Sequence, residues 1–275
     1  MSSESRDDAH DNVLRLPLIG VMPGRRLAAA SMRLRIGGDA SAMASASAAL
    51  YSRMAASGVR MLGFTCSFEG NCVTCVGLGD YTDASASPAD IAAVLAAIPG
   101  FEDVKMYEGP VEGFAAVRGF TLEAADARAV LMSARALAGL LQGPREYLGE
   151  DAGAAFVYYE GFFAGRAMGE YLSQFGRESA LAMMPRLWES RGYATSIETL
   201  SDPNGGHYRF EVRRLVECEV LSNYVKGPAR TSHFFRGIIA GALSKIEGGE
   251  WDVEEVECVN DGSDKCAFEA RRKGK

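Results

Sequence analysis

Two stretches near the C-terminus decide the fold of the second half of the chain: SHFFRGIIAG at residues 232–241 and EVECVNDGSDKCAFEA at residues 255–270. The first predicts a helix whose small residues let another backbone approach closely. The second predicts two strands joined by a turn at residues 260–263, because Asn, Asp, Gly and Ser favour chain reversal. If the strands pair as a hairpin, Cys258 and Cys266 lie nearly opposite one another, with Cβ atoms about 5 Å apart.

The two thiols are candidate metal ligands. Together with Glu255 and His233, Cys258 and Cys266 supply two sulfurs, a carboxylate and an imidazole, which are the donors that zinc prefers. Glu255 and Cys258 are three residues apart on the predicted strand, so their side chains point to opposite faces unless a bulge intervenes. The alternative is a pair of buried thiols without a metal.

These residues resemble the C-terminal part of the 4-vinyl reductase domain (hereafter the vinyl reductase domain). The resemblance lies in the aromatic-aromatic-x-Gly helix, Glu-x-x-Cys, a Gly-containing loop and Cys-x-Phe-Glu, and it extends back to about Leu122. In phenol-sensing relatives, the positions of Glu255, Cys258 and Cys266 are zinc ligands, and a further cysteine begins the glycine-spaced helix. Ser232 stands at that position here. The resemblance therefore implies zinc only if the neighbouring His233 supplies the fourth ligand.

The resemblance also implies a function. It implies a small-molecule-binding sensor that dimerises through this domain, with an antiparallel sheet and packed helices, and a small hydrophobic or aromatic ligand. The domain's name suggests an alternative, a tetrapyrrole (vinyl) reductase or an accessory factor of tetrapyrrole biosynthesis. A scaffold without any ligand is a third interpretation.

Composition narrows the class of protein. Of the 275 residues, 48% are hydrophobic and 24% are charged, as in soluble globular proteins. The net charge is −7 and the basic residues are scattered, which argues against a nucleic-acid surface. No apolar run approaches the roughly 18 residues of a membrane span. With six cysteines and a polar N-terminus unlike an export signal, we expect a cytoplasmic protein with reduced or metal-bound thiols.

The N-terminal half predicts a ferredoxin-like domain over residues 13–116, after a disordered tail at residues 1–12. Its predicted order is strand-helix-strand-strand-helix-strand, which is the split βαβ unit and resembles ACT domains in topology. Ser87 and Pro88 have the chemistry of a helix start. Cys66, Cys72 and Cys75 fall on the predicted strands, where an odd offset separates Cys72 from Cys75. We interpret all three as small apolar strand residues.

The overall prediction is an α+β protein of two domains. Gly and Pro residues at 109–121 mark the boundary, and residues 120–273 form the domain that resembles the vinyl reductase domain. Its predicted elements are helices at 122–142, 150–175 and 178–190, and strands at 193–200 and 207–219.

Two further patterns concern the helices of this second domain. YYEGFFAG at residues 158–165 repeats the pattern of FFRGIIAG at residues 234–241, which predicts two helices packed tightly through their glycines. Aromatic and Met side chains also concentrate on two successive helices. Such residues adapt well to apolar ligands, although a stripe of this kind is usually core. The predicted ligand pocket consists of Phe156, Tyr159, Phe163, Met184 and Trp188.

No acid–base machinery stands out. The sequence contains no Gly-x-Gly-x-x-Gly after a strand, no Walker loop and no Gly-x-Ser-x-Gly elbow, so an enzyme is not indicated.

Overall fold

The computed structural model describes residues 14–36, 40–125, 127–201, 206–224 and 227–274. The predicted tail at residues 1–12 lies outside these ranges. The chain divides into two compact units, Met1–Ala129 and Val130–Lys275, a division later in the chain than the predicted boundary at residues 109–121. Each unit combines an antiparallel four-stranded sheet with helices, as the α+β prediction requires.

The first unit is built on one sheet with two helices. Its elements in chain order are β1 (Ile19–Val21), β2 (Leu27–Arg35), α1 (Ala40–Ala56), β3 (Arg60–Glu69), β4 (Cys72–Asp80), α2 (Pro88–Ala96), β5 (Phe101–Glu108), β6 (Phe114–Ala116), β7 (Glu123–Ala124) and β8 (Ala127–Arg128). The order β3-β4-β2-β5, antiparallel throughout, is the predicted ferredoxin-like topology. The relation to ACT domains stays a prediction.

Helix α2 begins where the sequence predicted. The Ser87 hydroxyl accepts from the Asp90 backbone N–H at 3.2 Å, and the Asp90 carboxylate accepts from the Ser87 N–H at 2.9 Å. This reciprocal capping box satisfies two backbone donors that the first helical turn leaves open. Pro88 follows at the first helical position, where its missing N–H costs nothing.

The second unit places helices on one face of a second sheet. Its elements are α3 (Ala134–Leu148), α4 (Glu150–Ser173), α5 (Arg177–Ser190), β9 (Ser196–Ser201), β10 (His207–Arg213), α6 (Val216–Leu221), α7 (His233–Ile246), β11 (Trp251–Glu257) and β12 (Cys266–Arg272). The strand order is β11-β12-β10-β9. Tyr208, Phe210 and Val212 alternate inward along β10 and pack into the core with α5 and α7. No helix in the described ranges is long and apolar enough to cross a membrane.

Two predicted boundaries in this unit are wrong. Helix α3 continues through Pro144, although proline removes one backbone hydrogen bond. Close packing on α4 stabilises this stretch, since a Cβ on Gly153 would lie 2.4 Å from the Arg145 Cα. Strand β10 ends at Arg213 rather than at residue 219, because Arg214 adopts a left-handed φ of 53°. The chain then enters α6.

Helices α4 and α7 pack backbone to backbone, as the repeated glycine pattern predicted. A Cβ on Gly165 would lie 2.1 Å from the Ile238 carbonyl oxygen, and one on Gly241 would lie 2.0 Å from the Phe162 carbonyl oxygen. Real Cβ atoms essentially never come this close to a backbone atom. The glycine face of α4 is therefore its inward face, and α7 lies between α4 and the sheet.

Candidate metal centre

Three cysteines and one glutamate form a buried cluster between α6 and the β11–β12 hairpin. The ligand atoms of Cys218, Glu255, Cys258 and Cys266 all lie within 4.8 Å of one another. The Cys218 Sγ is 3.5 Å from the Cys258 Sγ and 3.3 Å from the Cys266 Sγ. The three cysteines are 0% exposed and Glu255 is 3% exposed. The structure thus brings together three of the four predicted metal ligands and adds a cysteine.

A β-bulge allows Glu255 and Cys258 to converge. The pairing of β11 with β12 shifts register between Glu255 and Glu257. An extra residue in one strand re-aims the side chains that follow it, so the odd offset no longer separates the two ligands. Cys258 stands just beyond the strand, before a short 3₁₀ turn at Val259–Asp261.

Cys218 was the functional residue that sequence reasoning missed. The sequence places it on a long strand, and its burial there was predicted, but no metal role was. Because the chain turns at Arg214 and forms α6, the Cys218 thiol reaches the thiols of the hairpin, 40 and 48 residues later. Its apolar surroundings and its even spacing with buried β10 residues were signals of burial alone.

His233, predicted as the fourth ligand, does not belong to this cluster. It is the first residue of α7, and its Nδ1 lies 3.5 Å from the Arg236 Nη1. Burial lowers the pKa of His233 to about 4, and the charges of Arg145 and Arg236 add to the effect. The imidazole is therefore neutral at pH 7 and lies on the arginine side of the helix end.

Ser232 positions the glutamate of the cluster. Its backbone N–H donates to the Glu255 Oε2 at 3.0 Å, and its hydroxyl donates to the Oε1 at 2.7 Å. The same hydroxyl lies 2.8 Å from the Cys218 Sγ. Ser232 therefore contacts two members of the cluster without being a strong ligand itself, since a neutral hydroxyl is a poor zinc donor.

A second buried carboxylate secures the start of α7. The Glu217 carboxylate accepts from the N–H groups of Phe234 and Phe235 at 2.9 and 2.8 Å. These are donors that a helix N-terminus leaves open, and the negative charge suits the helix dipole. Burial nevertheless raises the pKa of Glu217 to about 7. Asn260 adds a link, because its side-chain amide donates to the Cys218 carbonyl at 3.0 Å.

The donor set fits a tetrahedral zinc ion. With Zn–S bonds of about 2.3 Å, two thiolates stand about 3.8 Å apart, close to the spacing of the sulfurs here. Hydrogen bonds from Cys218 and Cys266 lower the pKa of Cys258. Burial raises the pKa of Glu255 to about 8, and the neighbouring Cys258 adds to this. Buried thiolates and a carboxylate repel one another, and a bound dication removes that cost.

The residues of the predicted ligand pocket lie in two environments. Phe156, Tyr159 and Phe163 are 48%, 59% and 64% exposed on the side of α4 that faces away from its glycines. Met184 and Trp188 are buried in the core of the unit. The structure therefore does not bring the five residues together, because the glycines and not the rings form the inward face of α4.

The segment that holds the cluster matches a known family. Residues 212–272 match the model of the vinyl reductase domain. The chain carries a vinyl reductase domain. All four cluster residues lie inside this matched segment. The uncharacterised protein MJ1460 of Methanocaldococcus jannaschii is 50% identical over 38 residues, which are 14% of this chain and 24% of that protein. The chain thus spans about a quarter of the length of this curated relative.

Solved structures similar to the chain include another member of the vinyl reductase family. The vinyl-4-reductase family protein of M. jannaschii is 19% identical over 50% of this chain and 93% of that one, with a TM-score of 0.34. The phenol-responsive sensory domain of the transcription activator PoxR, solved with phenol, is 21% identical over 53% and 77%, with a TM-score of 0.48. A trafficking protein particle complex subunit 3 from Naegleria fowleri, covalently bound to palmitic acid, is 14% identical over 51% and 95%, with a TM-score of 0.39.

Proposed function

We propose that this chain is a cytoplasmic ligand-binding sensory protein whose vinyl reductase domain is held together by a structural zinc ion. The observation that carries the proposal is the buried group of three thiols and one carboxylate inside the matched segment. The sensory role is supported by the family match and by the sequence resemblance to vinyl reductase domains that sense small molecules. The proposed protein is a homodimer that associates through its second unit.

Cys218, Glu255, Cys258 and Cys266 would hold the zinc. Four protein ligands leave no coordination position for a substrate or water, so the ion would supply a cross-link and no reaction. That cross-link joins α6 to the β11–β12 hairpin. Ser232 supports it from the side, because its two hydrogen bonds hold the Glu255 carboxylate in place.

Native mass spectrometry of the full chain, purified under reducing conditions without added metal, tests the zinc site. We expect one zinc per chain in the wild type and none in Cys218→Ser. Ser232→Ala should retain the ion, since the hydroxyl is not a ligand. A wild-type protein without zinc, and with no loss of stability on adding a chelator, would reduce the site to buried thiols.

The proposed ligand is a small hydrophobic or aromatic molecule that enters the buried aromatic group around Trp188. The Trp188 Nε1 donates to the Met168 Sδ at 2.8 Å, and the indole meets the rings of Phe210 and Phe235 edge-on at 5.9 and 5.2 Å. Methionine is flexible and polarisable, so Met168 and Met184 can move aside for a flat apolar molecule. The exposed rings of α4 have no part in this site.

Tryptophan fluorescence during a titration with phenol tests ligand binding. The chain has two tryptophans, Trp188 and Trp251, so each can be removed in turn. We expect a saturable change in wild type and in Trp251→Phe, and its loss in Trp188→Phe. No saturable change in any of the three proteins would overturn the proposed phenol site. A coloured pigment retained through purification would instead favour the tetrapyrrole alternative.

A further inference from the structure

The side of α4 opposite its glycines carries eight exposed residues in a self-complementary order. Outward from the midpoint between residues 159 and 160, each direction reads one polar or aromatic residue, then Phe, Ala and Ala. We call this set the α4 outer face. Its members are Ala152, Ala155, Phe156, Tyr159, Glu160, Phe163, Ala164 and Ala167.

This face is apolar and faces solvent along its whole length. Its spacing of three and four residues places all eight side chains on one stripe of the helix. The rings are also held in place, since Tyr159 contacts the half-buried Tyr158 at 5.6 Å and Phe163 contacts the half-buried Phe162 at 5.9 Å. A continuous apolar stripe of this kind marks an interaction site.

We propose that the α4 outer face is the surface on which two copies of this chain meet, with their α4 helices antiparallel. A two-fold axis requires a surface that is complementary to itself. About the midpoint of residues 159 and 160, Phe156 meets Phe163 of the second copy, and Ala152 meets Ala167 of the second copy. The alanines let the helix ends approach, while the rings fill the centre.

Charge favours the antiparallel direction. Tyr159 comes opposite Glu160 of the second copy, where its hydroxyl can donate to the carboxylate. Asp151 near the start of α4 approaches Arg166 of the second copy, which pairs opposite charges at both ends of the interface. A parallel pair would instead set Glu160 beside Glu160 and align the two helix dipoles, both of which are unfavourable.

This inference rests on the proposed homodimer and names its surface, but it needs neither the zinc ion nor the ligand. Light scattering of the full chain at tens of micromolar tests it first. We expect the wild type to be dimeric and Phe163→Glu to have the mass of one chain. The matched control is Phe68→Glu, because Phe68 is 63% exposed in the other unit. That variant should remain dimeric, and the thermal unfolding of both variants should match the wild type.

Disulfide cross-linking tests the direction. In the antiparallel pair, residue 160 lies beside the two-fold axis, whereas residue 167 lies about 22 Å along the helix from its own copy. Under a mild oxidant, Glu160→Cys should form a covalent dimer beyond the wild-type background, and Ala167→Cys should not. Cross-linking of both variants would mean parallel helices and overturn the proposal.

The remaining outcomes separate this surface from the proposed dimer itself. A monomeric wild type would overturn both the homodimer and its surface. A dimeric wild type in which Phe163→Glu stays dimeric and Glu160→Cys fails to cross-link would retain the homodimer and overturn the α4 outer face.

Discussion

Each unit of the chain holds three cysteines, and the two groups differ in what surrounds them. In the first unit, Cys66 and Cys75 are direct partners across β3 and β4, while Cys72 lies opposite Glu69 near the strand ends. All three belong to one hairpin. In the second unit, the thiols come from α6 and from both sides of the β11–β12 turn, and Glu255 joins them. Only the second group forms a candidate metal site among the described residues.

The difference lies in charge and direction rather than in the number of thiols. Burial raises the pKa values of Cys66 and Cys75, and the hydrogen bond between the two thiols raises that of Cys75 further, so both stay protonated at pH 7. A Cys-x-x-Cys spacing inside a regular strand points its two thiols to opposite faces. A metal site needs ionised donors that converge, and in the second unit a bulge and a helix provide that convergence.

The largest expected effect comes from Cys218→Ser. It should remove the zinc and lower the free energy of unfolding by about 3–5 kcal/mol, because the remaining buried charges lose their partner. Chemical denaturation combined with metal analysis checks this. A Cys218→Ser protein that kept both its zinc and its stability would show that the two cysteine groups do not differ as argued.

His233→Gln tests which residues belong to the second group. Burial lowers the pKa of His233 from 6.5 to about 4, so its folded-state stability is full above pH 6.5 and is lost as the pH falls towards 4. Relative to the variant, the wild type should therefore lose up to about 3 kcal/mol between these pH values. Denaturation across that range, with zinc measured at pH 7, is the test. Loss of zinc at pH 7 in His233→Gln would restore the histidine as a ligand.

Glycines of the two units should also respond differently. Gly165→Ala should destabilise the protein by about 1–3 kcal/mol, because the new methyl group meets the backbone of α7. Gly77→Ala in the first unit should cost less, since its Cβ would lie 3.1 Å from the movable Phe64 ring. Thermal unfolding of the two variants checks this order. Equal losses would contradict the backbone contact between α4 and α7.

Cys75→Ala should have the smallest effect. Cys75 is 1% exposed, so removing its sulfur leaves a small cavity and costs about 1 kcal/mol. Zinc content should not change, because this thiol is outside the metal site. A measurable loss of zinc in Cys75→Ala would mean that the first group also binds metal.

Local sequence patterns were enough for much of the fold. The capping box at Ser87, the strand order of the first unit and the repeated glycine pattern all depend on neighbours along the chain or on one helix face, so they were predictable. The ends of β10 and α3 were not. Arg214 adopts a left-handed conformation that its residue type does not favour, and Pro144 stays inside a helix because another helix packs against it.

For the candidate site, the sequence by itself determined Glu255, Cys258 and Cys266, because a hairpin turn of known chemistry brings the two thiols together. Only the tertiary structure decided that Cys218 completes the group and that His233 does not. It also decided that the rings of α4 face outward while its glycines face inward. The physical reason is common to these cases. A local pattern specifies which residues share a face, but long-range packing decides which face is buried and which distant side chain reaches it.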